Sequence, residues 1–135
     1  MVSYAEAGRV LMATLKPGDE MMASIRELAS SAHLDSALIF ARGELVAGEL
    51  ILGFRKYSRA TNDIERGTFE DSRQILGFGD LLRMPDGSVQ FAVRCTIARE
   101  REVFVGDVVK GSVGEGFSVT LVEVVQPLDT QEAQR

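Results

Sequence analysis

Val89-Gln90-Phe91-Ala92-Val93-Arg94-Cys95-Thr96-Ile97-Ala98 alternates without a break. Val89, Phe91, Val93, Cys95 and Ile97 fall on one side, and Gln90, Ala92, Arg94, Thr96 and Ala98 on the other. Successive side chains of a strand point to opposite faces, so a strict period of two reads as a strand with one core face. Pro85-Asp86-Gly87-Ser88 precedes it as a turn, proline fixing φ and glycine taking the positive-φ position. Arg99-Glu100-Arg101-Glu102 follows as a charged turn. Working outward, Gln74 to Met84 reads as the strand before. Val103 to Val105, Val108 to Val113 and Phe117 to Val125 read as the strands after, with Gly114-Glu115-Gly116 as a turn. Strands in hairpin-like succession point to a largely antiparallel sheet.

The N-terminal half supplies one helix. Gly8 to Leu15 reads as a first strand, apolar on both faces and so expected to be covered on both. Lys16-Pro17-Gly18-Asp19 breaks it, with Asp19 or Gly18 expected to cap the helix that follows. Met21, Met22, Ile25, Leu28, Ala29 and Ala32 recur at three- and four-residue steps, which is one apolar helical stripe. Ala37 to Ala41 is a continuous apolar run of strand length, with Arg42-Gly43-Glu44 expected to end it. Leu45 to Phe54 reads as a separate strand interrupted by Gly48 and Gly53. Tyr57 to Phe69 is polar, a long connection holding a weaker strand. The fold class is therefore α+β: a mostly antiparallel sheet with one main amphipathic helix packed on it. Residues 1–8 read as an N-terminal extension, 9–126 as one domain and 127–135 as a frayed tail.

The chain has 135 residues, 45% of them hydrophobic and 26% charged, ordinary values for one globular domain. Cys95 is its only cysteine and His33 its only histidine. No internal disulfide can form, and a reducing, cytoplasmic setting is expected. The start Met1-Val2-Ser3-Tyr4-Ala5-Glu6 lacks the pattern of a secretory signal, and no apolar run is long enough to span a membrane. Net charge is −5 and the basic residues are scattered, so direct nucleic-acid binding is not expected.

Taken in order, these segments resemble the plant-and-prokaryote-conserved (PPC) domain, which stands alone in bacteria and archaea and is joined to AT-hook segments in plants. Arg9 to Glu20, containing Leu15-Lys16-Pro17-Gly18-Asp19, is similar to the family's opening strand and its L-x-P-G-E/D helix start, followed by Ile25-Arg26-Glu27-Leu28-Ala29. Gln74-Ile75-Leu76-Gly77-Phe78-Gly79-Asp80 is similar to its E-I-L-S-L-S-G-N strand. Asp86-Gly87 stands before the long strand, Val105-Gly106-Asp107-Val108-Val109 resembles its V-x-G-G-H-L segment, and Val119 to Val125 its last strand. The likeness covers residues 9 to 125 and implies a homotrimer.

Many prokaryotic members carry H-x-H-x-H on the strand after the Asp-Gly turn and another histidine after paired glycines. Alternate histidines on one strand share a face and converge on a metal. Here Gln90, Ala92, Arg94 and Asp107 occupy those positions, so no metal site is expected, and no cofactor. The AT-hook core Arg-Gly-Arg-Pro is missing as well.

Gln90, Arg94 and Asp107, with Arg42, are the candidate ligand-binding residues. A guanidinium fork on Arg94, joined by Arg42, suits an anionic group. The alternative is an Arg94 ion pair with Asp107 or Glu123. His33 reads as a helix-end or surface residue, Cys95 as a small buried hydrophobe, and Met12, Met21 and Met22 as core filling. Asp63, Glu65, Glu70 and Asp71 form an acidic cluster that reads as a solvated loop face. Gly77-Phe78-Gly79 and Gly114-Glu115-Gly116 do not join a strand to a helix, so neither is a phosphate loop. With no catalytic set in view, the expectation is a non-catalytic homotrimeric binding module whose partner is itself, with a small anionic ligand or a protein partner as further candidates. The alternative is a small enzyme or sensor taking an anionic small molecule near Arg94 and Asp107.

Overall fold

A computed structural model describes residues 2–54 and 64–125. The elements run β1 (Glu6–Thr14), α1 (Met21–Ser31), β2 (Ser36–Phe54), β3 (Ile64–Phe69), β4 (Arg73–Arg83), β5 (Val89–Arg99), β6 (Glu102–Val113) and β7 (Ser118–Val125). The strands form one seven-stranded sheet in the order β1-β7-β2-β4-β5-β6, with β3 beside β2. An added β2–β6 pairing closes β2, β4, β5 and β6 into a small barrel. Every strand pairing is antiparallel, as the hairpin succession predicts.

The 19-residue β2 organises the barrel. Its first half lies between β4 and β7, and its second half between β3 and β6. Arg42-Gly43-Glu44 does not end a strand, contrary to the sequence expectation. Gly43 takes φ +139, which lets the chain continue, and a Cβ there would stand 2.8 Å from the Phe117 backbone. The run to Ala41 and the run from Leu45 are therefore one strand. Likewise Val103–Val105 and Val108–Val113 merge into β6, because Gly106 packs against the Ile51 carbonyl without breaking the ladder.

Helix α1 places Met21, Ile25 and Ala29 wholly in the core, against β6 and β5. They meet Leu34, Ile39, Leu45, Val93, Cys95, Ile97, Val113, Phe117 and Leu121, all 0–1% exposed. The expected alternation of β5 holds: Val89, Val93, Cys95 and Ile97 are buried and Phe91 packs at the margin. The cap differs from the expectation. Glu20, not Asp19 or Gly18, is the N-cap residue, its Oε2 accepting from Met22 N–H at 2.9 Å and its Oε1 from Ala23 N–H at 3.1 Å. Asp19 instead accepts from Lys16 N–H within the preceding turn.

Arginines tie the layers together. Arg9 on β1 donates to the Ala32 carbonyl at the helix end and pairs with Glu123 on β7. Arg26 on the helix donates to the Val89 carbonyl and lies over the Phe91 ring. Arg83 holds the Leu34 and Gly87 carbonyls. His33, with φ 54, is the left-handed residue that stops the helix, which fits its helix-end reading. The Tyr57–Asp63 part of the polar connection and the tail from Gln126 lie outside the described residues.

Candidate functional site on the outer sheet face

Strand pairing brings one side chain from each of six strands into a single row. Met12 on β1 stands opposite Thr120 on β7, Thr120 opposite Phe40 on β2, and Phe40 opposite Phe78 on β4. Phe78 stands opposite Arg94 on β5, and Arg94 opposite Asp107 on β6. A parallel row runs Thr14, Ser118, Arg42, Leu76, Thr96 and Val105. Alternation turns the neighbours of these residues into the core and these residues outward.

Much of this outer face is apolar and open. Met12 is 80% exposed, Leu76 64%, Val10 58%, Leu82 56%, Phe78 53%, Val105 52% and Phe40 42%. Met12 is thus not core filling, and the outer side of β1 is uncovered in a single chain, contrary to the expectation for both. Only the Leu11 and Ala13 side of β1 meets the core. Together the seven side chains expose on the order of 800 Å², about what one partner buries in a standard protein interface. A monomer rarely leaves so much contiguous apolar surface open.

The four candidate residues all lie on this face, but they do not make one compact pocket. Arg94 and Asp107 are in contact, with Arg94 Nε 3.0 Å from Asp107 Oδ1. The bond and the charge of Asp107 raise the Arg94 pKa further. Arg42 sits on β2, two strands away across β4, so about 10 Å of sheet separates it from Arg94. Gln90 lies four positions up β5, about 13 Å from Arg94 along the strand. Glu123, the other expected partner of Arg94, is held by Arg9.

Beside Arg94 a groove of about 480 Å³ is lined by Phe40, Leu76, Phe78, Thr96 and Val105. Cys95 faces the core beneath it, and burial pushes its thiol up to about 12, with the charge of Asp107 adding to the rise. A thiol so protonated is no nucleophile at neutral pH, in line with its sequence reading. Asp71 of the expected acidic cluster is engaged by Arg73 at 2.9 Å and Arg99 at 2.7 Å, and its carboxyl is held low chiefly by Arg73. Glu65 and Glu70 are exposed, and Asp63 lies outside the described residues.

The residue set does not suit a metal. Gln90, Ala92 and Arg94 present an amide, a methyl and a cation where ligands would converge, and the carboxylate of Asp107 already carries a guanidinium. Among the described residues no group of three His, Cys, Asp or Glu side chains could hold an ion. No described helix is long and apolar enough to cross a membrane.

Sequence reasoning missed the extent of the open face. Its signal was present in β4, where Leu76, Phe78 and Leu82 share a period of two with the buried Ile75 and Leu81. A strand apolar on both faces is covered on both sides or waits to be.

The profile of the plants and prokaryotes conserved domain matches residues 2–125, and the chain belongs to that family. No curated protein matches it in sequence. Solved structures share the fold. The metal-containing protein AF0104 of Archaeoglobus fulgidus superposes with a TM-score of 0.77 at 17% identity, over 93% of this chain and 86% of that one. A plant- and prokaryote-conserved protein of Pyrococcus horikoshii gives 0.75 at 18% identity, over 94% and 87%. A Bacteroides thetaiotaomicron protein, named as a candidate DNA-binding protein, gives 0.69 at 16% identity, over 93% and 85%.

Proposed function

We propose that the chain is a non-catalytic binding and interaction module that works as a homotrimer, its outer sheet face buried between subunits. The observation that carries this reading is the row from Met12 through Phe40 and Phe78 to Arg94 and Asp107, whose three apolar side chains Met12, Phe40 and Phe78 stand open in the single chain beside Leu76, Val10 and Val105. Aromatic pairs and arginines at the centre of a patch are the side chains that dominate association energies. The charge pair at the end of the row adds register to a contact that is otherwise greasy. The lone buried cysteine fits a reducing compartment such as the cytoplasm.

A second reading rests on the groove beside Arg94. There an anionic small molecule would compete with Asp107 for the guanidinium, and Phe40, Leu76 and Phe78 would hold its apolar part. The DNA-binding label of the Bacteroides relative finds little support in this chain. Its net charge is −5, and the one arginine of the central row is neutralised by Asp107.

The trimer reading is tested by following the thermal transition against chain concentration. Assembly makes the midpoint rise with concentration in the wild type, whereas Phe78→Lys removes that dependence. A midpoint independent of concentration in the wild type would refute the reading. The small-molecule reading is tested by a thermal-shift screen of carboxylate- and phosphate-bearing metabolites. A stabilising hit that Arg94→Ala abolishes would favour it, and silence across the library would remove it.

A further inference from the structure

β1 is the last strand of the sheet and, among the described residues, pairs with β7 alone. Leu15 N–H donates to the Phe117 carbonyl at 2.9 Å, and Thr14 stands opposite Ser118. In an antiparallel ladder, pairs that exchange both hydrogen bonds alternate with pairs that exchange none. Ala13 and Leu11 therefore share the orientation of Leu15 and bond to β7. The N–H and C=O groups of Val10, Met12 and Thr14 point the other way, out of the edge of the sheet.

Native sheets blunt such edges with prolines, charges, bulges or a covering element. The bulge of β1 falls between Ala7 and Val10, which leaves Val10–Thr14 regular. A contrast stands at the start of β5, beyond the stretch that pairs with β6, where Arg26 Nη1 donates to the Val89 carbonyl at 2.8 Å. Over Val10–Thr14 the outward side chains are Val10, Met12 and Thr14, two of them large, apolar and more than half exposed. The same Met12 begins the row that continues through Thr120 on β7 to Phe40 on β2 and Phe78 on β4. Edge and face thus form one uninterrupted surface.

We infer that a second copy of this chain lays an extended segment along the free edge of β1, hydrogen-bonding to Val10, Met12 and Thr14 while its body covers the adjoining face. A short peptide would satisfy the edge but leave the face open. The exposed apolar area, on the order of 800 Å², matches what one partner buries in a standard interface, which favours a folded copy. In a ring of three the contact is head-to-tail, so the added segment comes from a part of the neighbour other than its own β1. This inference rests on the trimer reading and specifies which backbone groups carry the contact.

Hydrogen exchange resolved to single amides, on the wild-type protein, tests it. In the assembled protein the amides of Val10, Met12 and Thr14 are expected to exchange as slowly as those of Leu11 and Ala13. Met12→Pro removes an outward N–H that no bond among the described residues uses. The monomer fold should survive, because proline is tolerated where a strand's N–H faces outward, and the dissociation constant of the assembly should rise at least ~10-fold. Fast exchange at Met12 and Thr14 in a protein that is trimeric, with Met12→Pro still trimeric and Phe78→Lys monomeric, sinks the edge contact and leaves the trimer standing. A monomeric wild type removes both.

Discussion

The rings of Phe40 and Phe78 meet edge to face, their centroids 5.2 Å apart, on a surface that the single chain leaves to solvent. An aromatic pair contributes beyond its area when desolvated, so its placement on an open face makes sense as half of a contact. Replacing Phe78 by lysine should cost the single chain no more than about 1.5 kcal/mol, since the ring is 53% exposed and its aromatic contact, Phe40, lies on the same open face. It should separate the assembly into single chains. Denaturant unfolding at low chain concentration, beside light scattering at high concentration, checks both halves.

Glu20 joins three backbone donors: Met22 and Ala23 at the helix start, and Gly111 on β6 at 3.0 Å. It fastens the helix to the barrel as well as capping it. Glu20→Ala should cost about 1–3 kcal/mol, from a lost cap and an orphaned Gly111 amide. Glu20→Asp, too short to reach all three, should recover only part. Urea unfolding of the two variants reads the difference.

Gly79 packs so closely on β5 that a Cβ would run into the Ala92 carbonyl oxygen, a backbone atom that cannot step aside. Gly79→Ala should therefore destabilise by about 1–3 kcal/mol, or more if β4 and β5 must part. Gly87→Ala has open space around it but sits at φ +89, so its cost is backbone strain alone and should be smaller, about 1 kcal/mol. Thermal unfolding ranks them.

Acid should weaken the fold through identifiable carboxylates. Arg9 holds the Glu123 carboxyl below its ordinary value, Arg73 does the same for Asp71, and the Ser88 hydroxyl and amide do so for Asp86. A lowered folded pKa means stability that is present above the ordinary carboxylate range and lost as pH falls through the folded value. The melting temperature should thus drop below about pH 4, with a smaller drop in Glu123→Gln.

Cys95 should resist thiol reagents in the native protein at pH 8, because burial raises its pKa to about 12. Unfolding in denaturant should restore ordinary reactivity. The sign for stability runs opposite to that of the carboxylates: the buried neutral thiol favours folding below its ordinary pKa, and that contribution fades as pH rises toward 12. Labelling rates with and without urea measure the first effect directly.

What was legible in the sequence followed from periodicity. The stripe from Met21 to Ala32 gave the helix, and the alternation from Val89 to Ala98 gave β5 with its core face. Two things local pattern could not give. The Arg42-Gly43-Glu44 triplet looks like a terminator, yet β2 runs through it because Gly43 adopts a backbone that another residue would resist. The helix cap went to Glu20 rather than Asp19 because its longer side chain also reaches Gly111, ninety-one residues away, a contact that exists only after folding. At the candidate site, spacing along β5 placed Gln90 and Arg94 on one face. Only sheet register could put Asp107 opposite Arg94 and keep Arg42 two strands off. Met12 illustrates the limit most clearly: an apolar residue in an apolar strand reads as core, and whether its cover is this chain or another is a property of the assembly.

Sedimentation equilibrium of the wild-type protein at micromolar concentration weighs the particle directly. The account requires a mass three times the 14.7 kDa of one chain. A species of one chain's mass, unchanged as concentration rises, would contradict it, because the face from Met12 to Phe78 would then stay open to water with nothing to cover it.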